Sequence, residues 1–195
     1  MDERFPSGAS RTVLLVLDCQ SGVLSHYGPS EATFAARIRA VCRQARAAGC
    51  PVVFVVTQFR AGHPEVSSAN TMLSGVKAAG FLVEGDPSAM IDPAVGWERG
   101  DIVVTKRRVS AFAGSDLGEI LRAGGIETLA LAGVATSGVV LSTVRAAADL
   151  DYRIMVLGDC CYDADPLVHA MLLERVVPLQ AEVVDCAEWL ATLRS

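Results

Sequence analysis

Six short apolar runs, separated by stretches of helical spacing, constrain this chain more than any other feature of its sequence. Residues 13–18 (VLLVLD) stay apolar until the final aspartate, the mark of a strand covered on both faces. Further β-rich runs occupy 52–57, 102–105, 128–132, 153–157 and 183–184. Helical patterns lie between them. One covers 31–49, rich in Ala and Arg and closed by Gly49. Others cover 115–123, closed by Gly124 and Gly125, and 137–150. A further helix is capped by Asp165 with Pro166 at its first position, and a C-terminal helix carries Trp189. Such alternation predicts an α/β fold, a mainly parallel sheet with helices on both faces, because each parallel crossover needs a covering helix. The exception is 61–99, which mixes Gly, Pro, Ser and Asn over weak helical patterning. So long an irregular segment inside a compact domain reads as a lid or binding loop.

A length of 195 residues suits one domain spanning 1–195, and no linker, repeat or low-complexity tract divides it. Folding at that length buries ~70% of the unfolded surface, so the core needs no disulfide or metal staple. Apolar residues supply 51% and charged residues 20%, which excludes intrinsic disorder. Lys plus Arg is 17 against 22 for Asp plus Glu, a net charge of -5. That sign argues against nucleic acid or an anionic membrane as partner. The N-terminal MDERFPSGASR is polar, VLLVL is too short for a signal-peptide core, and no apolar run of ~18 residues follows. A cytoplasmic protein is expected. The cysteines at 19, 42, 50, 160, 161 and 186 show neither CxxC nor Cys/His zinc spacing, and read as core thiols in a reducing compartment.

Ligands of open α/β sheets collect beyond the carboxyl ends of strands, near the point where strand order reverses. The first strand ends in Asp18, followed by Cys19-Gln20-Ser21. The second ends in Thr57-Gln58-Phe59-Arg60, and the third in Lys106-Arg107-Arg108. The fourth ends in Gly133-Val134-Ala135-Thr136-Ser137-Gly138. Each has a plain structural reading: a turn cap, a solvated edge charge, a helix N-cap. Together they bring an acid, a lysine and a Gly/Ser/Thr-rich turn to one rim, where a helix N-terminus offers N–H groups to a carboxylate or a developing oxyanion. Neither GxGxxG after the first strand nor GxxxxGK[ST] is present, which removes the dinucleotide and P-loop readings.

Four segments resemble, in order, the isochorismatase-like hydrolase family, which includes nicotinamidases, carbamoylsarcosine amidohydrolases and isochorismatases. They are VLLVLDCQSG (13–22), VVTKRRVSAFAGSDLGEIL (103–121), GIETLALAGVATSGVVLSTVRAAADLDY (125–152) and VLGDCCYDADPLVHAML (156–172). The resemblance implies a three-layer, Rossmann-like α/β/α sandwich around a six-stranded parallel sheet. In the family's amidase branch it implies an Asp–Lys–Cys triad, with Asp18 and Lys106 as the first two members. The Cys position in GVATSGVV is Val139, and a valine has no nucleophile for thioester chemistry. The isochorismatase branch also lacks the Cys and keeps the Asp and Lys. It hydrolyses a vinyl ether by protonating the enol carbon, after which water attacks. Asp18 is then the expected general acid and Lys106 its electrostatic partner. Such an acid must hold its proton near neutrality, which an apolar pocket favours and a neighbouring cation opposes.

Two other readings stay open: a catalytically degenerate member that binds a small molecule, and an amidase with a relocated Cys. Cys19 should point to the strand face opposite Asp18, and Cys160 and Cys161 should follow the fifth strand near the rim. Metal-binding members of the family carry Asp-x-His after strand two, which TQFRAGHPE lacks, and His26, His63 and His169 are scattered. No metal and no cofactor is expected. For a small-molecule substrate, a carboxylate among the candidates, Arg60 is a candidate bidentate clamp. Gln20 and Phe112 are candidate pocket-lining residues, with Ser137 and Gly138 in the turn. The resemblance implies that the N–H groups of Ala135 and Val139 face a substrate oxygen, and that a non-proline cis peptide joins Val134 to Ala135. It also implies a homo-oligomer. The apolar stripe Val139, Val140, Thr143, Val144 and Ala147 serves either sheet packing or that interface.

Overall fold

A computed structural model describes residues 11–27 and 31–193. The polar stretch 1–10 lies outside the described residues. The strands are β1 (Thr12–Leu17), β2 (Val52–Thr57), β3 (Ile102–Lys106), β4 (Thr128–Val134), β5 (Arg153–Tyr162) and β6 (Glu182–Val184). They form one six-stranded sheet in the order β3-β2-β1-β4-β5-β6, and every pairing is parallel. The helices are α1 (Ser21–Tyr27), α2 (Glu31–Ala47), α3 (Thr71–Ala78), α4 (Leu117–Ala123), α5 (Leu141–Ala148), α6 (Pro166–Met171) and α7 (Cys186–Thr192).

The alternation within β1 explains the layers, because successive side chains of a strand face opposite ways. Leu14 and Val16 pack with Val23 and Leu24 of α1, Phe34, Ile38 and Val41 of α2, and Trp189 of α7. Val13, Leu15 and Leu17 pack with Leu117 and Leu121 of α4 and Val140, Val144 and Ala147 around α5. All five residues from Val13 to Leu17 are buried, as a strand covered on both faces requires. This is the expected three-layer α/β/α sandwich. Among the described residues, no helix is long and apolar enough to cross a membrane.

Three segments differ from the sequence reading. The segment 61–99 is neither open nor wholly irregular. It holds α3 and two 3₁₀ turns, Pro87–Ala89 and Pro93–Val95, each begun by an Asp whose side chain accepts from the backbone two residues on. Val66, Leu73, Leu82, Ala89 and Val95 anchor it in the core, at spacings too uneven to read as a period. Two isolated bridges, Gln20 to Ile91 and Phe59 to Val83, sew it to the loops after β1 and β2. Next, β5 continues to Tyr162, so Cys160 and Cys161 lie inside the strand and not beyond it. A register shift between Leu131 and Gly133 lets β4 pair with Cys161 and Tyr162 past the apparent stop at Gly158-Asp159. Finally, the helix expected at 137–150 begins as a π turn, Thr136–Val140, before α5. Ala135 O accepts from both Gly138 N and Val140 N there.

The stripe Val139, Val140, Thr143, Val144 and Ala147 is buried within this chain, so it packs on the sheet. Gly133 sits where β4 passes β1, with φ +145°, and a Cβ there would run into the carbonyl of Leu17. Gly133→Ala is therefore expected to destabilise the fold by about 3–5 kcal/mol, from strained backbone plus overpacking. Urea unfolding measures it, and a loss below ~1 kcal/mol would contradict this role for the glycine.

Candidate active site

β1 lies between β2 and β4, so strand order reverses between β1 and β4. The crevice at such a point is where an open sheet accepts a ligand. Asp18, the residue after β1, has φ +51°, an uncommon conformation for a non-glycine residue. It is only 9% exposed. Lys106, the last residue of β3, is 1% exposed. Two strand spacings separate β3 from β1, about 10 Å, and a lysine side chain is long enough to cover most of that span. Lys106 Nζ donates to Asp18 Oδ2 at 2.8 Å. On its way it passes Thr57, its register partner on β2, and donates to Thr57 Oγ1. Its remaining N–H reaches Arg108 O at 3.0 Å. The three ammonium donors are thus all occupied by protein acceptors, which makes this buried cation tolerable. Thr57 Oγ1 donates in turn to Asp18 Oδ1 at 3.0 Å.

The triad is braced from behind. Gln20 is fully buried, donating to Thr57 O (2.8 Å) and Ala89 O (2.7 Å) while its Oε1 accepts from Thr57 N (2.8 Å). Expected to line the pocket, Gln20 instead positions Thr57, its amide fully engaged by backbone. Arg60 is 63% exposed and pairs with Glu65 at 2.6 Å, a surface bridge on the loop after β2. Phe112 stacks on Tyr152 with centroids 6.0 Å apart. Tyr152 precedes β5 whereas Asp18 follows β1, so the Phe112 ring turns to the amino-terminal edge of the sheet and not to the rim with the acid.

On the other side of the crevice, the peptide between Val134 and Ala135 is cis. The turn after it is pinned by two residues that the sequence reading did not single out as a site. Asp163, buried, accepts from Ser137 N at 2.7 Å. His169 Nδ1 lies 2.8 Å from Thr136 Oγ1. Asp163 occupies the same kind of place as Asp18, one residue beyond a strand end, and shows itself once β5 is known to end at Tyr162. Ser137 itself is exposed, and Gly138 N is engaged by Ala135 O at 3.1 Å. Tyr27 at the end of α1 ties the two acids together electrically. Burial, then the charges of Asp163 and Asp18, push its hydroxyl pKa up.

Val139, which the resemblance matches to the family's Cys, is 2% exposed and belongs to the core cluster around α4 and α5. The thiols near the site are not activated. Burial pushes Cys161 up to about 12, and burial, helped by Cys42 and Asp18, also raises Cys19. Buried His63 bonds Phe81 O at 2.8 Å through Nε2, which makes it a brace of the 61–99 segment. One group of potential metal-ligating atoms does come together away from Asp18: those of Asp159, Cys160 and Cys186 lie within 4.8 Å of one another. Sequence spacing hid it, because the fold brings these residues together across 26 positions.

A doubly wound parallel sheet with an acid–lysine pair at its reversal point and a helix-opening turn facing it defines a small-molecule hydrolase of the α/β/α class. Residues 12–188 match the Isochorismatase domain, and the chain belongs to that family. It is 33% identical over 180 residues to ureidoacrylate amidohydrolase RutB of Stutzerimonas stutzeri, covering 81% of this chain and 72% of that one. It is 27% identical over 186 residues to maleamate amidohydrolase of Pseudomonas putida, covering 94% and 87%. An isochorismatase family protein from Burkholderia thailandensis superposes with TM-score 0.84 at 27% identity, covering 95% and 96%.

Two outcomes follow from this geometry. Lys106→Met leaves the Asp18 carboxylate buried without its cation and is expected to cost about 3–5 kcal/mol in urea unfolding. Adding Asp18→Asn should return part of that loss, and strictly additive effects would contradict direct coupling. The second concerns His169, whose pKa desolvation lowers from 6.5 against the opposing charge of Asp163. Unfolded chains therefore bind more protons just below that pH, so stability rises with pH through the window and is lost as pH falls through it. His169→Gln should flatten that slope in melting curves taken from pH 5 to 8, and an unchanged slope would contradict the assignment.

Proposed function

We propose that this hydrolase cleaves a small vinyl ether of the isochorismate type by acid–base chemistry at Asp18, without a covalent intermediate. The observation that carries the proposal is the pairing of an intact Asp18–Thr57–Lys106 network with a buried valine at position 139. Asp18, a carboxylate paired with Lys106 at rest, takes up a proton from solvent as substrate displaces water, and delivers it to the methylene carbon of the enolpyruvyl group. The positive charge that develops on the adjacent ether carbon is attacked by water. The resulting hemiketal then breaks its C–O bond, releasing pyruvate and the ring alcohol and returning the proton to Asp18. Lys106, with its donors already committed, acts as a fixed charge beside the acid. It steadies the carboxylate formed after proton transfer. The N–H groups of Ala135 and Val139 are assigned to a substrate oxygen, and Asp163 and His169 to holding that turn in place.

The names of the relatives favour a second reading, amide hydrolysis, and position 139 separates the two. In the triad that the resemblance implies, an amidase attacks its substrate through a thiolate, which valine does not supply.

The test is pyruvate release from isochorismate. Wild type should release it, and Asp18→Asn should fall by about 10²-fold or more while remaining folded. Full activity in Asp18→Asn, or none in wild type, would overturn the proposal. With maleamate or ureidoacrylate, wild type is expected to be inactive and Val139→Cys to gain hydrolysis. Wild-type activity on either amide would favour the second reading.

A further inference from the structure

The sulfur atoms of Cys160 and Cys186 lie 2.8 Å apart, closer than sulfurs that merely pack. Their meeting is dictated by the sheet. β6 runs parallel to β5 with Val184 opposite Leu157, so the chain leaves β6 and enters α7 with Cys186 beside Asp159 and Cys160. Asp159 Oδ1 accepts from Cys186 N at 3.0 Å and fixes that approach. Trp189 and Leu190, buried one turn further on, hold α7 against the same core cluster as Cys160. Both backbones are therefore anchored independently of the thiols. Cys160 is fully buried, whereas Cys186 is half-buried.

Two chemistries suit paired thiols: a metal ion or a disulfide. Two ~2.3 Å zinc–sulfur bonds at a tetrahedral angle hold the sulfurs ~3.8 Å apart, wider than the pair observed here. A disulfide requires ~2.05 Å, reached by closing the existing contact, and needs no further ligand or solvent-filled space around Cys160.

We propose that Cys160 and Cys186 form a site oxidised by hydrogen peroxide and restored by a dithiol, closing to a disulfide that ties α7 to β5. The Cys186 thiolate attacks the O–O bond of hydrogen peroxide and becomes a sulfenic acid, and the hydroxide expelled takes up the proton the thiol gave up and leaves as water. The Cys160 sulfur then displaces hydroxide from the Cys186 sulfur, and its proton leaves with that hydroxide as a second water. Two thiols lose two electrons in all, and one peroxide is reduced to two waters. The thiolate is the reacting form, and Cys186 holds its proton tightly through its contact with Cys160, burial and the Asp159 carboxylate. The reaction is therefore slow at neutrality and quickens as pH rises. The crosslink encloses the segment that carries Asp163 and His169, which pin the turn after β4.

The experiment treats the purified chain with hydrogen peroxide at pH 7 and pH 9, then counts free thiols after denaturation. The six cysteines should fall to four, with an intact mass lower by two hydrogens and a peptide map joining Cys160 to Cys186. Dithiothreitol should restore all six. The crosslinked form should melt at a higher temperature than the reduced form. Cys186→Ser, changed at the more exposed partner, should keep its remaining five thiols under the same treatment, and Cys42→Ser should still lose two. Retention of all six thiols in the wild type at both pH values, a crosslink between other cysteines, or accumulation of sulfinic acid at Cys186 would each overturn the proposal.

Discussion

A buried lysine that has to be neutralised organises this molecule. Lys106 ends a strand two places from Asp18 and is almost wholly withdrawn from water. An ammonium group in that position is stable only when anion and hydrogen-bond acceptors surround it. Asp18, Thr57 and the Arg108 carbonyl supply them, and each comes from the carboxyl end of a different strand or from the loop beyond it. The consequences spread outward. Thr57 must hold its hydroxyl between an acid and a base, so its backbone is gripped by the amide of Gln20. Gln20 in turn binds Ala89, which fastens the 61–99 segment over the rim. The cover, the brace and the acid–lysine pair form one connected hydrogen-bond network.

The facing wall is built by different means. A π turn opens the helix after β4; Asp163, from the end of β5, accepts its Ser137 N–H, and His169, from α6, meets its Thr136 hydroxyl. Val139 in this turn is buried and belongs to the core cluster around α4 and α5. The proposed chemistry, begun by proton transfer and not by attack of an enzyme nucleophile, rests on this contrast between the two walls.

The parallel sheet was legible because both-face burial writes near-continuous apolar runs, and the residue ending each run pointed to Asp18 and Lys106, which the fold brings together. The same rule missed Asp163, because Gly158-Asp159 resembles a strand end and the register shift that carries β5 onward leaves no mark in composition. Gln20 and Phe112 show the converse limit. Their chemistry suited a pocket, but the direction of a side chain is set by partners distant in sequence: Thr57 and Ala89 for the one, Tyr152 for the other. His169 looked isolated for the same reason, its partner Thr136 lying 33 positions away. The cover at 61–99 was hidden by uneven spacing of its anchors, since no regular element imposes a period on them.

Hydrolysis without a covalent intermediate is tested most directly by intact-mass spectrometry of the enzyme, acid-quenched during turnover of isochorismate. The expected spectrum contains only the unmodified chain throughout the reaction. A transient adduct carrying a fragment of the substrate would contradict a route in which Asp18 moves a proton and water does the rest.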